Sequence, residues 1–145
     1  MMRKKKEMEV TVKKGGYVFP AVLTALEDGK YEVNFPDLEE CYTFGDDLND
    51  ALKMAEDVLA LTLYGYEEEK RTIPQPSKRT AIDVKENEFV NYIAADTMEY
   101  RKRFNNKAVK KTLTIPEWMN EAATAAGLNF SQVLQEALSQ KLNRI

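Results

Sequence analysis

The C-terminal stretch at residues 107–145 places the strongest constraint on what this chain can fold into. It begins with a short run of alternating polar and apolar residues that ends at Pro116, and two helical patterns follow around a break at Gly127. A strand and two helices of this size cannot enclose a hydrophobic core, although their apolar residues need one. The stretch therefore predicts association with another chain.

The alternating run predicts a strand with two different faces. Its apolar face consists of Val109, Leu113 and Ile115. Its polar face consists of Lys110, Thr112 and Thr114. Lys111 interrupts the apolar side, and its long side chain can carry the charge outward to solvent or phosphate.

Two helices are predicted after this strand. The first runs from about Pro116 to Ala126, because proline suits the first turn of a helix and Gly127 ends it. Asn129 caps the second helix, with Gln132 three residues later as in a capping box. The apolar stripe of the second helix is Val133, Leu134, Ala137, Leu138 and Leu142.

Antiparallel pairing of the strand with the same strand of a second chain would satisfy its backbone and bury its apolar face. Such a two-stranded ribbon fits the major groove of DNA, where its polar face would contact base edges. The predicted base-reading residues are Lys110, Thr112 and Thr114. The predicted phosphate-binding residues are Lys111 and the start of the second helix, Asn129, Phe130 and Ser131.

Two alternatives remain for this stretch. One is a helical dimerisation tail that does not bind DNA. The other is a helix-turn-helix, which is less favoured because the second helix has no basic residue before Lys141. The charge supports the ribbon: residues 105–145 carry five basic and three acidic residues, net +2, whereas residues 1–104 carry 16 basic and 21 acidic residues, net −5. A mildly basic end on an acidic body suits one anionic and one basic partner.

The preceding residues predict an α+β domain with the order β-β-β-α-β and a small extra helix. The strands are expected at residues 17–26, 30–35, 41–45 and 88–96, with a further start at residues 10–12. Asp28-Gly29 predicts the first hairpin turn, and Pro20 within the first strand argues for an edge position or a bulge.

A longer helix is predicted from a cap at Asp46 or Asp47 to about residue 64, with Gly65 as its stop. Its buried face is expected to consist of Leu48, Leu52, Ala55, Leu59 and Leu63. Asp96 caps a short helix that ends near Phe104. The boundary falls at Asn105-Asn106, which gives domains at 1–104 and 105–145.

Composition limits the chemistry. The chain has one cysteine, Cys41, and no histidine, so it lacks the commonest general base and metal ligand and cannot form a disulfide within itself. Cys41 is expected to be a buried small residue. No signal peptide or membrane span is evident, and a cytoplasmic protein without metal or cofactor is expected.

A metal-dependent nuclease site is an alternative for the acidic residues of the first domain, which are Asp28, Asp37, Glu39, Glu40, Asp46 and Asp47. Metal catalysis requires carboxylates that converge from rigid strands. These residues lie in predicted connections, which favours a helix cap and solvated turns, and no catalytic residue is predicted.

Residues 107–145 resemble the ribbon-helix-helix family of repressors, through the alternating strand, the proline after it and the capped second helix. The whole chain resembles HicB-type antitoxins. The first domain carries that resemblance in Tyr17, Pro20, Tyr31, Val33, Phe35-Pro36-Asp37-Leu38, Gly45-Asp46, Ala51 and Ala55. A proline-rich connection at residues 72–77 and then the C-terminal pattern follow in the expected order.

The resemblance implies an antitoxin that is not an enzyme. Its first domain, compared in that family to a degenerate RNase H-like or RNA-binding-like fold, is expected to cover the site of a HicA-type mRNA-cleaving toxin. The expected toxin contacts are Phe35, Asp37, Glu39, Glu40, Asp46 and Asp47. The second domain is expected to bind operator DNA as a homodimer, or as a tetramer if the first domains also associate.

Two other functions stay open on the sequence. One is a free-standing ribbon-helix-helix repressor whose first domain senses a small ligand. The other is an RNA-processing enzyme that uses the acidic residues.

Overall fold

A computed structural model of the chain describes residues 15–143, and these divide into a first unit that ends at Lys107 and a second that begins at Ala108. The predicted strand start at residues 10–12 lies outside the described residues. Among residues 15–143, no helix combines the length and hydropathy that a membrane span requires.

The first unit is an antiparallel sheet covered by helices. Its elements are β1 (Gly16–Ala25), β2 (Tyr31–Asn34), β3 (Tyr42–Gly45), α1 (Leu48–Glu68), a 3-10 turn (Arg79–Ala81), β4 (Glu88–Asp96) and α2 (Thr97–Phe104). The strand order is β3-β2-β1-β4. The predicted α+β class and the β-β-β-α-β order are confirmed.

Pro20 lies in β1, which is a central strand of the sheet. At the position of Pro20, however, β1 is paired on one side only. Pro20 is paired with Tyr92 of β4, whereas the pairing of β1 with β2 begins only at Val22, opposite Asn34. The missing N–H of proline therefore removes no bond to β2. The predicted edge position is right locally, although β1 is not an edge strand.

The core lies between one face of the sheet and α1. Alternate strand residues, including Phe19, Leu23, Val33 and Ile93, are buried there. From α1 the buried residues are Ala51, Ala55, Leu59, Leu63 and Tyr66. Leu48, predicted on this face, is 41% exposed. It is the first residue of α1, and the buried row starts one turn later at Ala51.

Two glycines lie near the start and near the end of α1. Gly45 has no room for a side chain, because a Cβ there would lie 2.3 Å from the backbone of Ala51. Gly65 was predicted to stop the helix, but α1 continues to Glu68. The prediction was wrong because Tyr66 packs into the core and Glu67 bonds to neighbouring elements, which holds the last turn in place.

The second unit contains α3 (Glu117–Ala125) and α4 (Phe130–Leu142). Gly127, with φ +71°, lies in the connection between them, as predicted. Residues 105–116 form no strand in the single chain that the structure describes. None of the residues described in this unit is buried.

Candidate functional site

The predicted base-reading residues lie in an exposed, unpaired segment. Lys110, Thr112 and Thr114 are all exposed, and residues 108–115 belong to no helix or strand of the chain that the structure describes. The apolar residues that alternate with them are equally uncovered: Val109 is 83% exposed and Leu113 57%.

The predicted phosphate-binding residues Asn129, Phe130 and Ser131 lie at the start of α4. The Asn129 side chain accepts a hydrogen bond from the Gln132 backbone N–H at 3.1 Å, which confirms the predicted cap. Phe130 and Ser131 occupy the first turn, where backbone N–H groups have no acceptor within the helix. Lys111 is exposed in the preceding segment.

The second unit exposes large apolar side chains throughout the part that the structure describes. The large apolar side chains that are exposed there are Val109, Leu113, Ile115, Trp118, Met119, Leu128, Phe130, Val133, Leu138 and Leu142. They come from both helices and the preceding segment, so the whole unit lacks a covered face.

Among the predicted toxin contacts, Phe35 is a correction. Its side chain is completely buried in the core of the first unit. Phe35 ends the alternation of β2 on the same face as Val33, which packs beneath α1. It cannot contact a partner in this fold.

Asp37 also has a structural task. Its carboxylate accepts hydrogen bonds from the Ser77 backbone N–H at 2.8 Å and from the Ser77 hydroxyl. These bonds fasten the proline-rich connection after α1 to the turn between β2 and β3. Asp37 therefore helps to shape this surface more than it offers a free charge.

The other acidic residues lie at or near the surface. Asp47 caps α1 by accepting from the Asp50 N–H at 2.7 Å, and Asp50 accepts from the Asp46 N–H at 2.9 Å. Glu39 and Glu40 are exposed in the turn before β3. The cap and the solvated turn agree with the interpretation favoured from sequence.

Sequence reasoning missed two surface aromatics on β3. Tyr42 is 59% exposed and Phe44 56% exposed. The alternation of residues 41–45 could have revealed them, because Cys41 and Gly45 are buried while the aromatic residues between them point to the other face.

A groove of about 510 Å³ in the first unit is lined mainly by α1 and α2, together with Thr43 of β3 and residues 94–96 of β4. Its apolar lining includes Met54, Leu61, Tyr100 and Phe104. Leu61 is 52% exposed, so this groove is a second accessible apolar surface of the unit.

A polar cluster joins β1, α1 and α2. Glu67 Oε2 accepts from the Tyr17 hydroxyl at 2.7 Å and from the Thr97 hydroxyl at 3.0 Å, and Glu67 Oε1 pairs with Arg101 at 2.8 Å. Burial, and then the bond to Glu67, raise the pKa of Tyr17 to about 12.

Cys41 is buried, as predicted, with its Sγ 3.9 Å from the Val58 carbonyl oxygen. Burial raises the pKa of its thiol. A protonated, enclosed thiol is a poor nucleophile, which agrees with a core role.

Known proteins resemble the first unit in sequence. Residues 18–89 match the family model described as HicB_like antitoxin of bacterial toxin-antitoxin system. Antitoxin HicB 1 of Photorhabdus laumondii subsp. laumondii is 40% identical over 68 residues, which cover 46% of this chain and 44% of that protein. Antitoxin HicB of Escherichia coli K12 is 34% identical over 65 residues, covering 45% and 47%.

Residues 18–89 form a HicB-like antitoxin domain. The matched part spans less than half the length of these curated relatives. The HicB-like match begins in β1 and ends at the second residue of β4. It therefore contains most of β1 and all of β2, β3 and α1, but neither α2 nor the second unit.

A solved structure extends the likeness beyond the HicB-like domain. A chain of a toxin-antitoxin complex from Streptococcus pneumoniae superposes with a TM-score of 0.57 and 28% identity, covering 87% of this chain and 99% of that one. Residues 1–107 amount to less than 87% of the chain, so the superposition reaches into the second unit.

Proposed function

We propose that this chain is an antitoxin with two binding activities. Its HicB-like domain binds and inhibits a HicA-type toxin that cleaves mRNA. Its second unit binds operator DNA as a dimer and represses the operon that encodes both proteins. The chain acts by binding and performs no chemistry of its own.

The observation that carries the toxin-binding half is the HicB-like domain together with its likeness to a chain of a toxin-antitoxin complex. Electrostatics support the same partner. Residues 1–104 have a net charge of −5, and an acidic surface attracts a basic RNA-binding protein. Glu39, Glu40 and Asp46 are the exposed acidic residues that we retain as toxin contacts.

The DNA-binding half is supported by two features that the second unit lacks in a single chain, a cover for its apolar side chains and a partner for its predicted strand. Its apolar side chains are exposed, and residues 108–116 have no strand partner there. Pairing with a second copy would supply both, with Lys110, Thr112 and Thr114 on the outer face of the ribbon. Lys111, Asn129, Phe130 and Ser131 would then bind the flanking phosphates. Association of the first units as well would make a tetramer.

Co-expression of the full chain with the product of the neighbouring reading frame tests the proposal. We expect the two proteins to co-purify and the antitoxin to stop RNA cleavage. A chain truncated before Lys107 should keep toxin binding, lose operator binding in a gel shift, and dimerise more weakly.

The outcomes separate the two halves of the proposal. A full chain that binds operator DNA but no toxin would favour a free-standing repressor. RNA cleavage by the purified chain with magnesium, lost on Asp46→Ala, would favour an enzyme. A truncated chain that still binds the operator would remove DNA binding from the second unit.

A further inference from the structure

We infer that Tyr42 and Phe44 are the apolar anchors of the toxin-binding surface. This inference rests on the proposed antitoxin function and adds residues that the family resemblance did not supply. The surface, here called the β3 face, consists of Tyr42, Phe44 and their cross-strand neighbours Asn34 and Glu32.

The pleat of the sheet places these four side chains together on the face opposite α1. Val33 is buried beneath α1 and is paired with Thr43, so those two residues point inward. Their neighbours in β2 and β3 must then point outward. Asn34 lies opposite Tyr42, and Glu32 lies opposite Phe44.

The fold covers one part of this sheet face and leaves the β3 face open. The connection after α1 bonds to Asp37 through Ser77, and the Arg79 backbone N–H donates to the Tyr92 hydroxyl at 3.0 Å. Pro20, the cross-strand partner of Tyr92, is fully buried. Tyr42 and Phe44, at the other end of the strand order, remain more than half exposed.

Charge decides what kind of partner fits. Glu32 is beside Phe44, Glu39 and Glu40 precede β3, and Asp46 follows it. Lys30 is the basic residue directly before β2. Its Nζ lies 3.8 Å from Asp28 Oδ2, and this carboxylate offsets the charge of Lys30.

Exposed aromatics on an open antiparallel sheet are also typical of single-stranded nucleic acid binding, but that mode needs a cationic groove. Here the carboxylates would repel phosphate. A second copy of the same face is disfavoured for a similar reason, because a two-fold interface would bring the same carboxylates together.

A basic RNA-binding protein is complementary to both the carboxylates and the exposed aromatic rings of the β3 face. Its cationic RNA-contact groups would meet the carboxylates, and the rings of Tyr42 and Phe44 would pack where RNA bases otherwise stack. Aromatic residues ringed by polar groups are the usual energetic centre of a protein interface. The β3 face thus imitates RNA, with carboxylates in place of phosphates and rings in place of bases.

The test measures the affinity of the full chain for a catalytically inactive HicA-type toxin by calorimetry. Tyr42→Ala and Phe44→Ala should each weaken binding by about tenfold or more, as expected for interface anchors. Glu32→Lys, which keeps both rings, should weaken binding and reduce its dependence on salt. Leu61→Ala is the matched control, because Leu61 is comparably exposed (52%) but lies in the α1–α2 groove, and it should bind as wild type does.

Near-UV circular dichroism and urea unfolding verify that the first unit is folded in each variant. Wild-type affinity in folded Tyr42→Ala and Phe44→Ala would overturn the inference and leave the antitoxin function standing. Loss of toxin binding in Leu61→Ala alone would move the site to the α1–α2 groove. Wild-type chain that binds no toxin, or that binds single-stranded RNA through Tyr42, would overturn the inference together with the proposed partner.

Discussion

Tyr17 shows how a single residue ties the sheet to both helices of the first unit. Its hydroxyl donates to Glu67, and Glu67 is also paired with Arg101 of α2. Both partners of the ion pair are only about a quarter exposed, at 27% and 22%, so the bond to Tyr17 lies in a partly desolvated setting. We therefore expect the protonation state of Tyr17 to matter for stability.

Tyr17→Phe should remove the contribution of Tyr17 to the pH dependence of the free energy of unfolding. The pKa of Tyr17 is raised from 10.0 to about 12, so its contribution is fully present below pH 10 and is lost as the pH rises through 12. Tyrosinate absorbance of the wild type should include a late titration near pH 12 that disappears in Tyr17→Phe. At pH 7 the variant should lose about 1–2 kcal/mol in urea unfolding. A late titration that survives in the variant would assign it to another tyrosine.

Thr112→Ala and Thr114→Ala test the base-reading assignment. Each should cost roughly 1–3 kcal/mol of discrimination between operator and unrelated DNA, because a base contact is lost. Toxin binding should not change. Thr124→Ala, an exposed threonine of α3, is the control in the gel shift. Wild-type affinity and selectivity in the Thr112/Thr114 double variant would show that this strand face does not contact bases.

At the scale of elements, α1 is positioned by contacts that its own sequence does not specify. Its first turn is capped by Asp47 and packs directly against Gly45. Its last turn extends past Gly65 because Tyr66 is buried. Local signals therefore predicted where the helix starts but not where it ends.

Substituting the two glycines by alanine should have opposite effects. Gly45→Ala should destabilise the first unit by about 1–3 kcal/mol, because the new methyl group overlaps the Ala51 backbone. Gly65→Ala meets nothing within 4 Å and should stabilise it by up to about 1 kcal/mol through helix propensity. Urea unfolding followed by far-UV circular dichroism compares them. Equal effects in both variants would contradict the close packing at Gly45.

At the scale of the whole molecule, the two units differ in how they are stabilised. The first has a buried core, whereas no described residue of the second is buried. The aromatic residues separate the two units spectroscopically, because Trp118 is the only tryptophan and all seven tyrosines precede residue 107.

Unfolding of the second unit should depend on protein concentration. If its apolar face is covered by a second copy, dilution favours the dissociated, unfolded form. The melting temperature measured by Trp118 fluorescence should fall on dilution. The melting temperature measured by the near-UV signal of the tyrosines in the first unit should change less. A Trp118 transition independent of concentration would contradict dimerisation through this unit.

The features that depend only on neighbouring residues could be predicted from the sequence. The strand alternation of the first unit, the caps at Asp47, Asp96 and Asn129, the turn at Gly127 and the burial of Cys41 were all predictable, because each follows from local pattern or composition. The strand predicted at residues 109–116 is not formed in the single chain. The resemblance to HicB-type antitoxins is confirmed for residues 18–89.

Which of the candidate contacts are surface groups depends on how the whole first unit packs. Phe35 lies in the core, Asp37 holds the connection through Ser77, and Tyr42 and Phe44 face outward. These roles depend on residues tens of positions away, such as Ser77, and on which sheet face α1 covers. A local pattern can show that two strand faces differ, but only the packing of the whole domain determines which face stays open to a partner.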